Sequence, residues 1–256
     1  MKYKAGIFSL VILLGLIGCG AEDGDSTASG NSGGNGDGGS TARFAIQNGF
    51  LVTLEGGNQI HTYELDSTNG ATRNLASFTV RGGGVETLRA YESDKLLLGT
   101  QTGSLVLRIT DNGDLYSMTN VSHARSCDPV IAVEQTLYIT LRNSRALNCG
   151  GLDAINHLHV WDIANLRAPA LRASIPLDQP YGLSALDDTL YVCTASGLVS
   201  FDISNRWAPQ QTAFDDRWLC DDIIARDGIL YLTRFEEAIR LLDLDMEPLS
   251  ILLPGE

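Results

Sequence analysis

The sequence predicts an all-β protein of the β-propeller type, and three observations carry that prediction. A unit of about 40 residues recurs along the chain, a period that marks propellers and other tandem arrays. Each unit consists of short runs rich in Val, Ile, Leu, Tyr and Thr, punctuated by Gly, Asn and Asp turn residues. No long stretch places apolar residues at helical spacing. The plainest copies are "HLHVWDIANLRAP" at 157–169 and "GLVSFDISNRWAP" at 197–209.

Two segments of different character precede the repeats. In residues 1–18, Lys2 and Lys4 lead into an apolar run from Ala5 to Ile17, interrupted by Ser9. A charged start, a short apolar run and a small-residue stop are the parts of an export signal. The run is shorter than the ~20 apolar residues a membrane-spanning helix needs. Its ending, Leu16-Ile17-Gly18-Cys19, resembles the lipobox of bacterial lipoproteins. That resemblance implies cleavage before Cys19 and attachment of a diacylglyceryl thioether to its sulfur. By analogy with enteric bacteria, Gly20 after the cysteine points to the outer rather than the inner membrane. Residues 19–42 are mostly Gly, Ser, Asn and Asp and have no apolar face, so they are expected to form a flexible tether.

The repeats occupy 43–256. Laid over one another, they stack Leu51, Leu97, Tyr138, Tyr191 and Tyr231 in the middle of the first strand of the aligned stretch. They stack Glu64, Arg108, Asp162, Asp202 and Asp243 at the exit of the third. Apolar residues alternate onto both faces of a strand: Leu198 and Ser200 point one way, Val199, Phe201 and Ile203 the other. A sheet covered on both faces is what stacked blades require. Asp at a strand exit accepts hydrogen bonds from turn amides, so Asp162, Asp202 and Asp243 are read as turn-builders rather than catalytic acids. Trp161-Asp162 lacks the Gly-His partner of a WD40 blade.

The phrasing of the repeat resembles the LVIVD-repeat family, best at 186–209, well at 132–169 and 223–247, and loosely at 44–110. The resemblance implies a β-propeller, and five countable units make five blades of four strands. The first is expected to start near Phe44 and the last to end with "PLSILLP". No spare strand is present for a shared closing blade, so the ring is expected to close by face packing alone.

Four cysteines follow Cys19, and an even number in an exported chain points to two disulfides. The repeat register places Cys127 and Cys220 at the start of innermost strands, Cys193 after a second strand and Cys149 in an insertion between second and third strands. All four fall on one rim, and the favoured pairs are Cys127–Cys149 within blade three and Cys193–Cys220 between blades four and five. No pair has the CxxC spacing of a zinc site.

The same rim gathers Arg81, Glu86, Arg125, Asp128, Tyr181, Trp218, Asp221 and Asp222, a mixture of aromatics and charges suited to a ligand-binding face. The insertion at 139–156 adds to this rim. His157 and His159 alternate on one strand and share a face, but spacing offers no third metal ligand. There is no nucleophile elbow and no phosphate loop. A formal net charge of −13 without a basic stripe argues against nucleic acid.

The leading expectation is therefore a lipid-anchored envelope protein whose propeller is a non-catalytic binding or scaffolding module, without a resident cofactor, for a protein or glycan partner. One alternative is a hydrolase or lactonase using Ca²⁺ in the channel, with Glu86, Asp128 and Asp221 as the acids. Another is a scaffold for envelope assembly.

Overall fold

The computed structural model describes residues 43–252, except 67, 71, 82–83, 124–128, 144–154 and 235–237. The described elements are twenty strands in five four-stranded antiparallel sheets, arranged in a ring as a five-bladed β-propeller.

Blade one contains β1 (Phe44–Gln47), β2 (Phe50–Glu55), β3 (Gln59–Leu65) and β4 (Thr72–Thr79). Blade two contains β5 (Val85–Tyr91), β6 (Lys95–Thr100), β7 (Gly103–Ile109) and β8 (Leu115–Ser122). Blade three contains β9 (Val130–Val133), β10 (Thr136–Leu141), β11 (His157–Asp162) and β12 (Ala170–Pro176). Blade four contains β13 (Leu183–Leu186), β14 (Thr189–Cys193), β15 (Leu198–Asp202) and β16 (Gln210–Asp215). Blade five contains β17 (Asp222–Arg226), β18 (Ile229–Thr233), β19 (Ile239–Leu242) and β20 (Pro248–Leu252). Every hydrogen-bonded strand pair joins neighbours in sequence.

The turn chemistry matches the turns. Asn48-Gly49 and Asp227-Gly228 join first to second strands with φ of 51° and 79°, and 52° and 78°, the left-handed pair of a tight hairpin. At third-strand exits, Asp162, Asp202 and Asp243 accept N–H bonds from Ala164, Ser204 and Asp245 at 2.9, 2.8 and 3.0 Å. The Arg172 guanidinium, helped by the Ala164 amide, holds the Asp162 carboxyl below the usual carboxylate range.

Pairing registers align the blades residue by residue. Gln47 faces Phe50, as Leu186 faces Thr189, so Val52 rather than Leu51 is the counterpart of Tyr191. The expected column is thus one residue out in blade one, and Val52, Leu97, Tyr138, Tyr191 and Tyr231 share it. In a strand such a slip exchanges the two faces. Residues of this column point forward, onto the next blade. Leu51, Leu96, Leu137, Leu190 and Leu230 point back, onto the previous one.

Packing between blades is done by four buried clusters. They lie between blades one and two, two and three, three and four, and four and five. At each of these seams a forward-facing residue meets a backward-facing residue of the next innermost strand. The pairs are Val52 with Leu88, Leu97 with Val130, Tyr138 with Leu183, and Tyr191 with Ile223.

Polar straps reinforce these seams. The buried Gln47 amide donates to the carbonyls of Tyr91 and Lys95 at 3.2 and 2.8 Å. The hydroxyls of Tyr91, Tyr138 and Tyr191 donate to the carbonyls of Glu134, Arg206 and Leu244 at 2.9, 2.8 and 3.1 Å. Between blades five and one there is no such buried cluster among the described residues. Among the described residues, face packing in a buried cluster is therefore seen at four seams.

Candidate functional site

Because the strands alternate in direction, the loops entering each first strand and those joining second to third strands share one rim. On that rim Cys193, ending β14, is bonded to Cys220, just before β17, across a Cα–Cα distance of 5.4 Å. This is the expected link between blades four and five. The other expected pair, Cys127 with Cys149, lies outside the described residues, as do Arg125 and Asp128.

Around this bridge the backbone is drawn tight. The Tyr181 N–H donates to the Cys193 carbonyl at 2.8 Å, and the Gly182 N–H to the Asp221 carbonyl at 2.9 Å. Thr140 Oγ1 donates to the Tyr181 carbonyl at 2.7 Å, tying in blade three. A Cβ on Gly182 would lie 2.3 Å from Asp222 Oδ1 and 2.6 Å from its Cα, so only glycine permits this approach. Asp222 Oδ1 accepts the Ile223 N–H at 2.9 Å, at the head of β17.

Arg142, directly after β10, completes the group. Its guanidinium carbon lies 4.2 Å from the centroid of the Tyr181 ring, a cation–π geometry. Its Nε is buried without a hydrogen-bond partner, and among the described residues Arg142 forms no ion pair. Arg73, Arg108, Arg172, Arg206 and Arg217, by contrast, each face a carboxylate. Nothing in the repeat announces Arg142, because its own column, one past the end of the second strand, holds the uncharged Gly56, Gln101 and Ala195 in blades one, two and four.

The remaining rim residues are distributed differently. Arg81 is exposed at the entrance to blade two, where Glu86 accepts a long bond from Gln101 Nε2 at 3.4 Å; neither belongs to the Arg142–Tyr181–Asp221 group. Trp218 packs against the cluster between blades four and five, and its indole N–H donates to the Met246 carbonyl at 2.8 Å. Its ring is therefore committed to a seam rather than to the mouth of the propeller.

Two cavities lie away from this group. One, of about 340 Å³, is lined by innermost-strand residues including Arg89, Ser184, Ile224 and Arg226. Another, of about 580 Å³, sits on the opposite rim between blades three and four, with Trp207 half exposed on its wall. The walls of this second groove are already neutralised internally. Arg206 pairs with Glu134 and Asp188 at 3.2 and 2.7 Å, and Arg172 lies 4.5 Å from the Trp207 ring centroid.

His157 and His159 do share a face, with ring centroids 6.2 Å apart and both Nδ1 atoms buried without a hydrogen-bond partner. Burial, reinforced by repulsion from His123 and His157, pushes His159 down to about 4. Among the described residues no three His, Cys, Asp or Glu side chains are disposed to hold a metal ion.

No family model and no curated protein matches the chain. Solved structures do. A functionally unknown protein from Desulfotomaculum acetoxidans superposes with a TM-score of 0.62 at 11% identity, covering 83% of this chain and 71% of that one. A protein from Bacteroides uniformis, described as a candidate 6-phosphogluconolactonase, gives 0.57 at 13% identity, covering 83% and 68%. BamB from Moraxella catarrhalis gives 0.51 at 13% identity over 81% of this chain, which spans only 62% of the BamB chain. At these identities the likeness is one of fold, and it makes this chain similar to β-propellers of differing description.

Proposed function

We propose that the protein is a bacterial lipoprotein, anchored through Cys19 to the outer membrane and spaced from it by residues 19–42. In this reading its propeller, built from LVIVD-like repeats, is a non-catalytic binding or scaffolding module in the cell envelope. The binding face is the disulfide-bearing rim, and the partner is a protein or glycan that presents an anionic or carbonyl-rich group.

The observation that carries this reading is Arg142. A guanidinium stacked on Tyr181, without a carboxylate among the described residues and set beside a disulfide-fixed loop, is preorganised for an acceptor brought by a partner. Arginine and tyrosine are also the residue types that most often dominate binding energy at interfaces.

A photo-crosslinking amino acid at position 181, in cells, is expected to trap a partner; the same probe at Trp207, on the opposite rim, is not. Arg142→Ala should reduce the yield about tenfold or more, the usual effect of truncating a central charged anchor. Equal yields from both rims would overturn the choice of face.

The anchor is tested separately. Cys19→Ala is expected to abolish palmitate incorporation and release the protein from membranes, because acyl chains contribute ~0.8 kcal/mol per buried CH₂. Persistent labelling would remove the anchor from this reading. The reading uses no metal, so added Ca²⁺ should leave the melting temperature unchanged; a marked rise would favour the channel enzyme instead.

A further inference from the structure

We propose that blade five of one copy docks on blade one of another, in a head-to-tail contact that continues the blade-to-blade packing of the chain itself. This goes beyond the binding role assigned to the rim and does not depend on it.

The argument compares equivalent positions. On the innermost strands, Leu88, Val130, Leu183 and Ile223 occupy the backward-facing position that Phe44 occupies in blade one. Those four are 0–1% exposed, whereas Phe44 is 65% exposed. On the second strands, Leu96, Leu137, Leu190 and Leu230 are fully buried, but their counterpart Leu51 is only half-buried. The forward face of blade five shows the complementary deficit. Val52, Leu97, Tyr138 and Tyr191 are at most 2% exposed, while Tyr231 in the same column is half-buried.

At the four internal seams these two positions always meet in one buried cluster. Tyr231 with Phe44 is the fifth pair of the series, and it is the one not made. Tyr138 and Tyr191 also donate their hydroxyls to a carbonyl in a turn of the following blade. Tyr231 carries the same hydroxyl and makes no such bond among the described residues.

What fits the forward face of blade five is thus the backward face of a blade, with a turn carbonyl beside it. Among the described residues such an uncovered face is present on blade one, together with that of blade five. A second copy supplies each with its complement. The surfaces in contact differ, so the interface is heterologous, and such interfaces propagate into rings or linear assemblies rather than stopping at a two-fold dimer.

The test is sedimentation of the full chain over a hundredfold concentration range. Mass is expected to rise above that of the monomer with concentration. Phe44→Asp should weaken association at least tenfold while leaving the melting temperature of dilute protein unchanged, because Phe44 is exposed in the single chain. Separately tagged chains bearing Phe44→Cys and Tyr231→Cys, when mixed, should form a disulfide-linked heterodimer above the wild-type background. A monomer at every concentration would overturn the proposal. So would a chain bearing both cysteines that links only to itself, or a Phe44→Asp variant that melts earlier as a monomer, since each reports closure within one ring.

Discussion

Replacing Cys193 and Cys220 together by serine is expected to lower the unfolding free energy by about 3–4 kcal/mol. The bond closes a loop with a sequence separation of 27, and loop-closure entropy for that length corresponds to roughly 3.5 kcal/mol. In a domain of about 200 residues this amounts to a fall in melting temperature of roughly 7–14 °C. The effect has a local side as well. The bridge joins blade five to the ring, and among the described residues blade five shares a buried cluster with blade four alone. Its strands should therefore lose hydrogen-exchange protection before those of blades two and three. Calorimetry and exchange on the paired-serine variant measure both, and a loss below about 1 kcal/mol would show that the bridge constrains little.

Acid should destabilise the fold through His159. The side chain is 8% exposed, and burial first, then His123 and His157, lower its pKa to about 4 from an ordinary value near 6.5. Above pH 6.5 the group is neutral in both states and contributes nothing to the pH dependence. Between 6.5 and 4 the unfolded chain takes up a proton that the folded chain refuses. Stability then falls by about 1.4 kcal/mol per unit, to a total near 3 kcal/mol. His159→Leu should remove this slope, since blade two already holds Leu105 at the equivalent position. Urea unfolding at pH 7 and pH 4.5 compares the two proteins, and identical losses would sink the assignment.

Much of the fold was legible because its signals are local. Asp162, Asp202 and Asp243 mark third-strand exits through bonds to amides two residues on. The pairing registers also place His61, Leu105, His159, Val199 and Arg240 in one column. The Cys193–Cys220 link followed from placing both residues on one rim.

What was missed depends on distances along the chain that no turn encodes. The Leu51 alignment slipped because "NGFLV" offers three apolar residues in a row, and only the pairing of Gln47 with Phe50 decides which of them points forward. Trp218 looked like a rim aromatic, yet its indole finds the Met246 carbonyl 28 residues away. Arg142 owes its significance to Tyr181 in another blade, which its own neighbours do not announce.

Among the described residues no strand is borrowed from a distant part of the chain: each four-stranded sheet is built from its own stretch of sequence. Low separation between bonded partners favours fast folding, and stacked units can form progressively from one end. A chain delivered amino end first, from a ribosome or a translocation pore, can finish blade one and lay each new blade on its predecessor without waiting for the carboxyl terminus. Assembly is then vectorial, and a stall part-way leaves an arc of finished sheets rather than an unfolded chain.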